Sequence, residues 1–171
     1  MYGTLADANQ YHADRGNTAW AGTDTATTAA LIRASDYIDG RYRYQTAGGC
    51  WRSMFRGTKT DGRGQEREWP RTGATDSDGN AIPDNEVPVE VERATYEAAL
   101  RELTEPGSLS PDYVAAGQVT RETVGPITVQ YASGQSDGAM PPNRPVVTVV
   151  DDILAGLICD RPKFGIGVRV V

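Results

Sequence analysis

The sequence predicts a mainly α fold: a small helical bundle with a short β-hairpin, a long arm-like loop and an extended C-terminal tail. Three segments repeat apolar residues every three or four positions, the period of a helix that packs on one face. One short segment alternates apolar and polar residues, the period of a half-buried strand. Residues 43–86 keep neither period and contain seven glycines, which predicts a loop. A length of 171 residues suits one domain.

The first two helices have recognisable starting signals. Thr4 and Asp7 form a capping-box-like start, and Gly16 is placed to end the first helix just after Arg15. A second helix is expected to begin after Thr23 or Asp24, since either can cap it, and to run to about residue 42. Its predicted buried stripe consists of Leu31, Ala34, Ile38 and Tyr42.

The second half of the chain predicts two more helices and a pair of strands. Pro88 suits the first turn of a third helix, which residues 105–107 (Glu-Pro-Gly) should stop. Strands are expected at residues 119–124 and 127–131, joined by Gly125-Pro126. A last helix is expected over residues 146–158.

We therefore predict one domain over residues 1–158 and a C-terminal arm over residues 159–171. Within the domain, residues 43–86 form an excursion too long to be an ordinary loop of a compact fold. Trp51, Phe55 and Trp69 lie inside it. Disordered segments are poor in aromatic residues, so these three side chains predict an arm that becomes ordered against another surface.

The charge distribution is uneven along the chain. Residues 41–71 contain eight bases and three acids, a net charge of +5, whereas the whole chain carries −6. The rest of the chain therefore carries −11. A basic segment on an acidic body suits a charge-complementary contact with another protein or with a phosphate backbone.

Targeting signals and disulfides are not expected. The first residues show neither a basic nor an apolar signal-peptide region, and the longest apolar run is too short to span a bilayer. We therefore expect no membrane association. The two cysteines, Cys50 and Cys159, lie in unrelated contexts, which favours reduced thiols in a reducing compartment.

No motif in the sequence indicates catalysis, so we predict that the protein is not an enzyme and has no cofactor and no metal site. His12 is the one histidine, and the sequence contains neither a nucleophile elbow nor a phosphate-binding loop. Residues 76–80 (Asp-Ser-Asp-Gly-Asn) resemble the start of a calcium loop, but the glycine is misplaced for an EF-hand. A plain Asx and glycine turn is the better interpretation.

The basic segment with its aromatic residues leaves two interpretations open. Trp51, Phe55 and Trp69 could stack on nucleic-acid bases, with arginines on the phosphates. Alternatively, they could pin the arm to its own body or to a neighbouring subunit, because aromatic and arginine enrichment is equally typical of protein interfaces. We favour the second interpretation and predict that the three aromatic residues are inter-subunit anchors.

Several segments also occur together, in order and spacing, in a known family. They are residues 29–39, 78–79, 82–83, 87–103 and 123–127, together with Arg15-Gly16-Asn17-Thr18-Ala19-Trp20 and Trp69-Pro70-Arg71. In these segments the chain resembles a phage protein family whose members carry the label DnaT-like single-stranded-DNA-binding proteins. It is also similar to the head–tail connector, or adaptor, proteins of long-tailed bacteriophages. Compared with that pattern, residues 48–65 are expanded.

The resemblance implies a structural virion protein, a head–tail adaptor that forms a ring of about twelve copies between the portal protein and a tail-side stopper or tail terminator protein. Its location would be the head–tail interface of the virion, and the host cytoplasm during assembly. DNA would pass through the ring without sequence-specific binding. The alternative is a single-stranded-DNA-binding accessory protein of phage replication.

The C-terminal tail is the predicted portal-binding arm. Apolar residues occur at every second position, the strand period, and a proline precedes them. Such an end can add a strand to a sheet edge of a partner. The alternative is an edge strand within the same subunit. The residues predicted to contact the portal are Phe164, Ile166, Val168, Arg169 and Val170.

Overall fold

The computed structural model describes residues 1–111, 121–124, 127–130 and 145–158. The first helix, α1, spans Leu5–Asp14, and the side chain of Thr4 caps it by accepting a hydrogen bond from the backbone N–H of Asp7. The second, α2, spans Asp24–Arg41 and is capped in the same way by Thr23. Both starting signals were correctly predicted, because a cap depends on three neighbouring residues only.

The third helix, α3, spans Val89–Thr104 and begins directly after Pro88, as predicted. It packs mainly on α2, and α1 lies against both. The predicted stripe of α2 is buried, with Leu31, Ala34 and Ile38 at 0% exposure, and Val91, Ala94 and Ala98 of α3 are buried to the same degree. Because several of these side chains are alanines, the two helices pack closely and form the centre of the core.

Residues 43–86 fold back on this helical core and contain two pairs of short antiparallel strands. Strands β1 (Arg43–Gln45) and β2 (Trp51–Ser53) form a hairpin. Strands β3 (Thr58–Lys59) and β4 (Arg71–Thr72) form a second pair. A 3₁₀ turn at Gly62–Gly64 lies between β3 and β4.

The C-terminal part of the described chain contains a pair of strands and a short helix that packs against α3. Strands β5 (Arg121–Val124) and β6 (Ile127–Gln130) pair in antiparallel fashion, which confirms the predicted hairpin. Helix α4 spans only Thr148–Ile153 and continues as a 3₁₀ turn over Leu154–Gly156, so the predicted helix over 146–158 was too long. A bridge between Phe55 and Ile158 joins this end to the excursion.

The prediction of a mainly α bundle is wrong. The described chain is mixed α and β, with four α-helices and three two-stranded antiparallel sheets. The strands within residues 43–86 are two or three residues long, too short to show an alternating pattern. Their pairing depends on distant partners, for example Lys59 with Arg71, and a local reading of the sequence does not detect such pairs. Among the described helices, none combines the length and the apolar character that crossing a bilayer requires.

Candidate functional site

Most of the bases in residues 41–71 form ion pairs within the chain. Five of the eight bases pair with carboxylates of the same chain. The pairs are Arg41 with Asp151, Arg67 with Asp36 and Asp39, and Arg43, Lys59 and Arg71 with Glu68. Arg41 and Arg67 therefore pair with acidic residues outside the basic segment, whereas the other three bases pair with Glu68 inside it.

The buried carboxylate of Glu68 is shared by three cations. Arg71 donates to its Oε2 at 2.8 Å, while Arg43 and Lys59 lie 3.1 and 3.6 Å from its Oε1. Arg71 is buried and also donates to the backbone carbonyls of Arg56 and Gly57. Its charge is thus committed to holding the excursion together. One carboxylate facing three cations leaves this cluster with an excess of positive charge.

A second polar cluster fixes the excursion to α2 and to the N-terminal segment. Buried Asp39 accepts hydrogen bonds from the Tyr2 hydroxyl, from Arg67 and from the backbone N–H of Glu68. The Tyr2 oxygen in turn accepts from the backbone N–H of Trp69. Burial raises the pKa of Asp39 above its usual range, although these hydrogen bonds oppose the shift.

Neither the Glu68 cluster nor the Asp39 cluster was predicted from the sequence. A carboxylate on a helix is normally solvated, so the sequence gives no signal that Asp39 is buried. Nothing in the local sequence separates Glu68 or Tyr2 from exposed residues of the same types. Their roles depend on distant partners: Tyr2 is 37 positions from Asp39, and Glu68 is 25 positions from Arg43.

The three aromatic residues predicted as inter-subunit anchors divide into two groups. Phe55 and Trp69 are 3% and 2% exposed, and their rings pack together at 5.6 Å within the core of this chain. In the folded subunit these two side chains are not available to a neighbour. Trp51, in contrast, is 49% exposed. Of the two interpretations, packing against the chain's own body applies to Phe55 and Trp69, whereas Trp51 is the one of the three that remains exposed.

Trp51 lies on one face of the β1–β2 hairpin. Directly opposed residues of an antiparallel pair share a face, and so do alternate residues of one strand. The register pairs Gln45 with Trp51 and Arg43 with Ser53, so all four belong to the same face. Gln45 also donates to the carbonyl of Gly49 and so braces the tip of the hairpin.

The opposite face and the neighbouring turn add exposed positive charge. Tyr44 packs towards the core, while Arg52, paired with it in the register, is exposed. Arg63 in the 3₁₀ turn is also exposed. Among the ion pairs of the described residues, none involves Arg52 or Arg63. The hairpin therefore carries the exposed indole and Arg43 on one face and exposed Arg52 on the other.

The structure also shows the environment of the other candidate residues, His12, Asp76 and Cys50. His12 is buried and stacks on Trp20 at 4.3 Å. Asp76 accepts hydrogen bonds from the side-chain amide of Asn80 and from the backbone N–H groups of Asn80 and Asp78, as in the predicted Asx turn, and these bonds lower its pKa. Cys50 is exposed at the tip of the hairpin. Within the described ranges, no group of three or more histidine, cysteine or acidic side chains is arranged to hold a metal ion.

Two predicted features lie outside the described residues. Cys159 is one of them. The other is the proposed portal-binding set, Phe164, Ile166, Val168, Arg169 and Val170.

Comparison with known families gives one match. The family described as "Putative DnaT-like ssDNA binding protein" matches residues 1–171, the full length of the chain. No curated protein and no solved structure is significantly similar to it. The family description refers to single-stranded DNA and not to a head–tail connector. The chain therefore belongs to the DnaT-like ssDNA binding protein family.

Proposed function

We propose that this protein binds single-stranded DNA through the β1–β2 hairpin. The observation that carries the proposal is the half-exposed indole of Trp51, which shares its face of the hairpin with Arg43. An exposed indole offers a planar surface on which a nucleobase can stack. The family to which the chain belongs supports this ligand class.

The surface predicts the mode of binding. A base would stack on Trp51, and Arg43, which shares its face of the hairpin, would contact an adjacent phosphate. Such contacts do not read base identity, so binding should be tolerant of sequence. The net charge of −6 repels DNA from most of the remaining surface and directs the strand to the hairpin.

The first prediction concerns Trp51. Trp51→Ala should weaken binding of a fluorescein-labelled oligothymidine by about 5- to 150-fold, because one base–aromatic stack contributes about 1–3 kcal/mol. Trp51→Phe retains an aromatic ring and should retain most of the affinity. Fluorescence anisotropy at fixed, low salt measures both.

Ile32→Ala is the matched control, since Ile32 is a similarly exposed apolar residue on α2. It should leave the affinity unchanged. Equal affinity of wild type and Trp51→Ala, with wild type binding well, would place the DNA elsewhere on the protein. Absence of binding by the wild-type protein at low salt would refute the proposed function itself.

A head–tail adaptor is the second candidate function. The observation that favours it is the acidic net charge, which suits a channel wall that DNA passes without adhering. In this function, about twelve copies would close a ring, Trp51 would contact the next subunit, and residues 159–171 would reach the portal protein. The tail-side partner would be a stopper or tail terminator.

Two measurements decide for or against the adaptor. Sedimentation equilibrium should show a large closed oligomer, and removal of residues 163–171 should abolish binding to tail-less, DNA-filled heads in a pull-down. A monomer that binds oligothymidine and ignores heads would exclude this candidate.

A further inference from the structure

We propose that Arg43 and Lys59, held on the buried carboxylate of Glu68, form a phosphate subsite beside Trp51. The inference rests on the proposed function and adds to it a fixed position for one backbone phosphate. Glu68 is assigned as a positioning residue, since it acts through the two cations and does not touch the DNA.

The geometry brings the two cations to one point. Both contact the same oxygen of Glu68, Arg43 at 3.1 Å and Lys59 at 3.6 Å. Their side chains remain 41% and 26% exposed, so each keeps donors that can face solvent. Two cations that converge on one oxygen can also converge on one phosphate group placed above them.

Glu68 carries one negative charge and cannot neutralise both cations, because a third cation contacts its other oxygen. Buried Arg71 donates to Oε2 at 2.8 Å. The four side chains together therefore carry more positive than negative charge. Long basic side chains normally lose conformational freedom when they bind a ligand, and a fixed carboxylate reduces that loss by holding them in place beforehand.

The subsite lies at a suitable distance from the stacking surface. Arg43 and Trp51 are diagonal neighbours on one face of the hairpin, a relation that separates their Cα atoms by about 7–8 Å. A base stacked on the indole would then bring a phosphate of the same or the adjacent nucleotide above Arg43 and Lys59. The hairpin and β3 thus provide one base position and one phosphate position.

The test is the salt dependence of oligothymidine binding. The double variant Arg43→Gln with Lys59→Gln should reduce the slope of log K against log salt concentration by about 0.7, the amount expected for one phosphate on a single strand. The matched control is Arg93→Gln, an exposed arginine of α3 that should leave the slope unchanged. Thermal unfolding of each variant confirms that it is folded.

Glu68→Gln separates positioning from simple charge. If charge alone matters, removal of the Glu68 carboxylate should strengthen DNA binding. If Glu68 positions the two cations, its removal should weaken DNA binding and reduce the salt-dependence slope, as the double variant does. If Glu68→Gln is unfolded, the double variant alone decides. An unchanged slope in the double variant would overturn the subsite. If Trp51→Ala still weakens binding in that case, the proposed function stands without the subsite. Absence of wild-type binding would overturn both.

Discussion

At the scale of single residues, several polar side chains are buried with their hydrogen bonds satisfied, and His12 is the clearest example. Its Nε2 lies 3.2 Å from the carbonyl oxygen of Tyr96, and its Nδ1 lies 3.0 Å from the side-chain amide of Asn17. A neutral imidazole fits both contacts by donating to the carbonyl and accepting from the amide. Burial lowers the pKa of His12, although the charge of nearby Glu97 opposes the shift.

This environment predicts a pH-dependent stability. The unfolded chain binds a proton at His12 near pH 6.5, whereas the folded protein resists protonation to lower pH. Between these two values the unfolded state holds more protons, so the free energy of unfolding should fall as the pH is lowered, by at most about 1.4 kcal/mol per pH unit. Urea unfolding at pH 7.5, 6.5 and 5.5 measures the effect.

His12→Gln is the control for this prediction, because His12 is the only histidine in the sequence. The raised pKa values of Asp39 and Glu92 act in the opposite direction, but they are present in both proteins and cancel in the difference. Parallel pH profiles for wild type and His12→Gln would show that the imidazole is not held neutral.

At the scale of secondary-structure elements, the short strands depend on close backbone contacts more than on strand length. Gly57 precedes β3 with φ of +71°, and a Cβ atom there would lie 2.4 Å from the carbonyl oxygen of Thr72 in β4. Its own carbonyl accepts a hydrogen bond from Arg71. Two strands of two residues can pair here because glycine lets the backbones approach.

Gly57→Ala should therefore destabilise the protein strongly. Gly62 has a positive φ as well, but open space surrounds the position of its absent Cβ. Gly62→Ala should lower the free energy of unfolding by about 1–2 kcal/mol through backbone strain alone. Gly57→Ala should lower it by about 1–3 kcal/mol more, because the added methyl group also collides with backbone. Equal losses in the two variants, from chemical denaturation, would mean that the contact with β4 relaxes freely.

At the scale of the whole molecule, residues 43–86 are part of the core and not an arm that waits for a partner. Trp69 and Phe55 pack together, and Phe55 also contacts Tyr42 at the end of α2. The Asp39 and Glu68 clusters add polar contacts on either side of Trp69. The helices and the excursion should consequently unfold as one unit.

Trp69→Ala should test this integration. Truncation of a buried tryptophan is expected to lower the free energy of unfolding by about 3–5 kcal/mol. Trp51→Ala, which removes the same side chain from an exposed position, should change it by less than about 1 kcal/mol. A Trp69→Ala protein as stable as wild type would show that the excursion is only loosely attached to the helices.

The features that depend on near neighbours could be predicted from the sequence alone. The caps at Thr4 and Thr23, the start of α3 after Pro88 and the β5–β6 pairing all follow from residues a few positions apart. The buried stripe of α2 was predictable for the same reason, because helical periodicity repeats over a short window.

Residues of the same type differ in burial, and this difference is visible only in the folded structure. The sequence presents Trp51 and Trp69 alike, yet one is half exposed and the other lies in the core. Asp39 and Glu68 likewise resemble other acidic residues in the sequence, and only the fold brings distant cations and hydrogen-bond donors to them. Burial and ion pairing depend on contacts between residues far apart in the chain. The candidate binding surface combines an exposed indole with nearby cations, and both features depend on such contacts. For this reason the surface cannot be identified from the sequence alone.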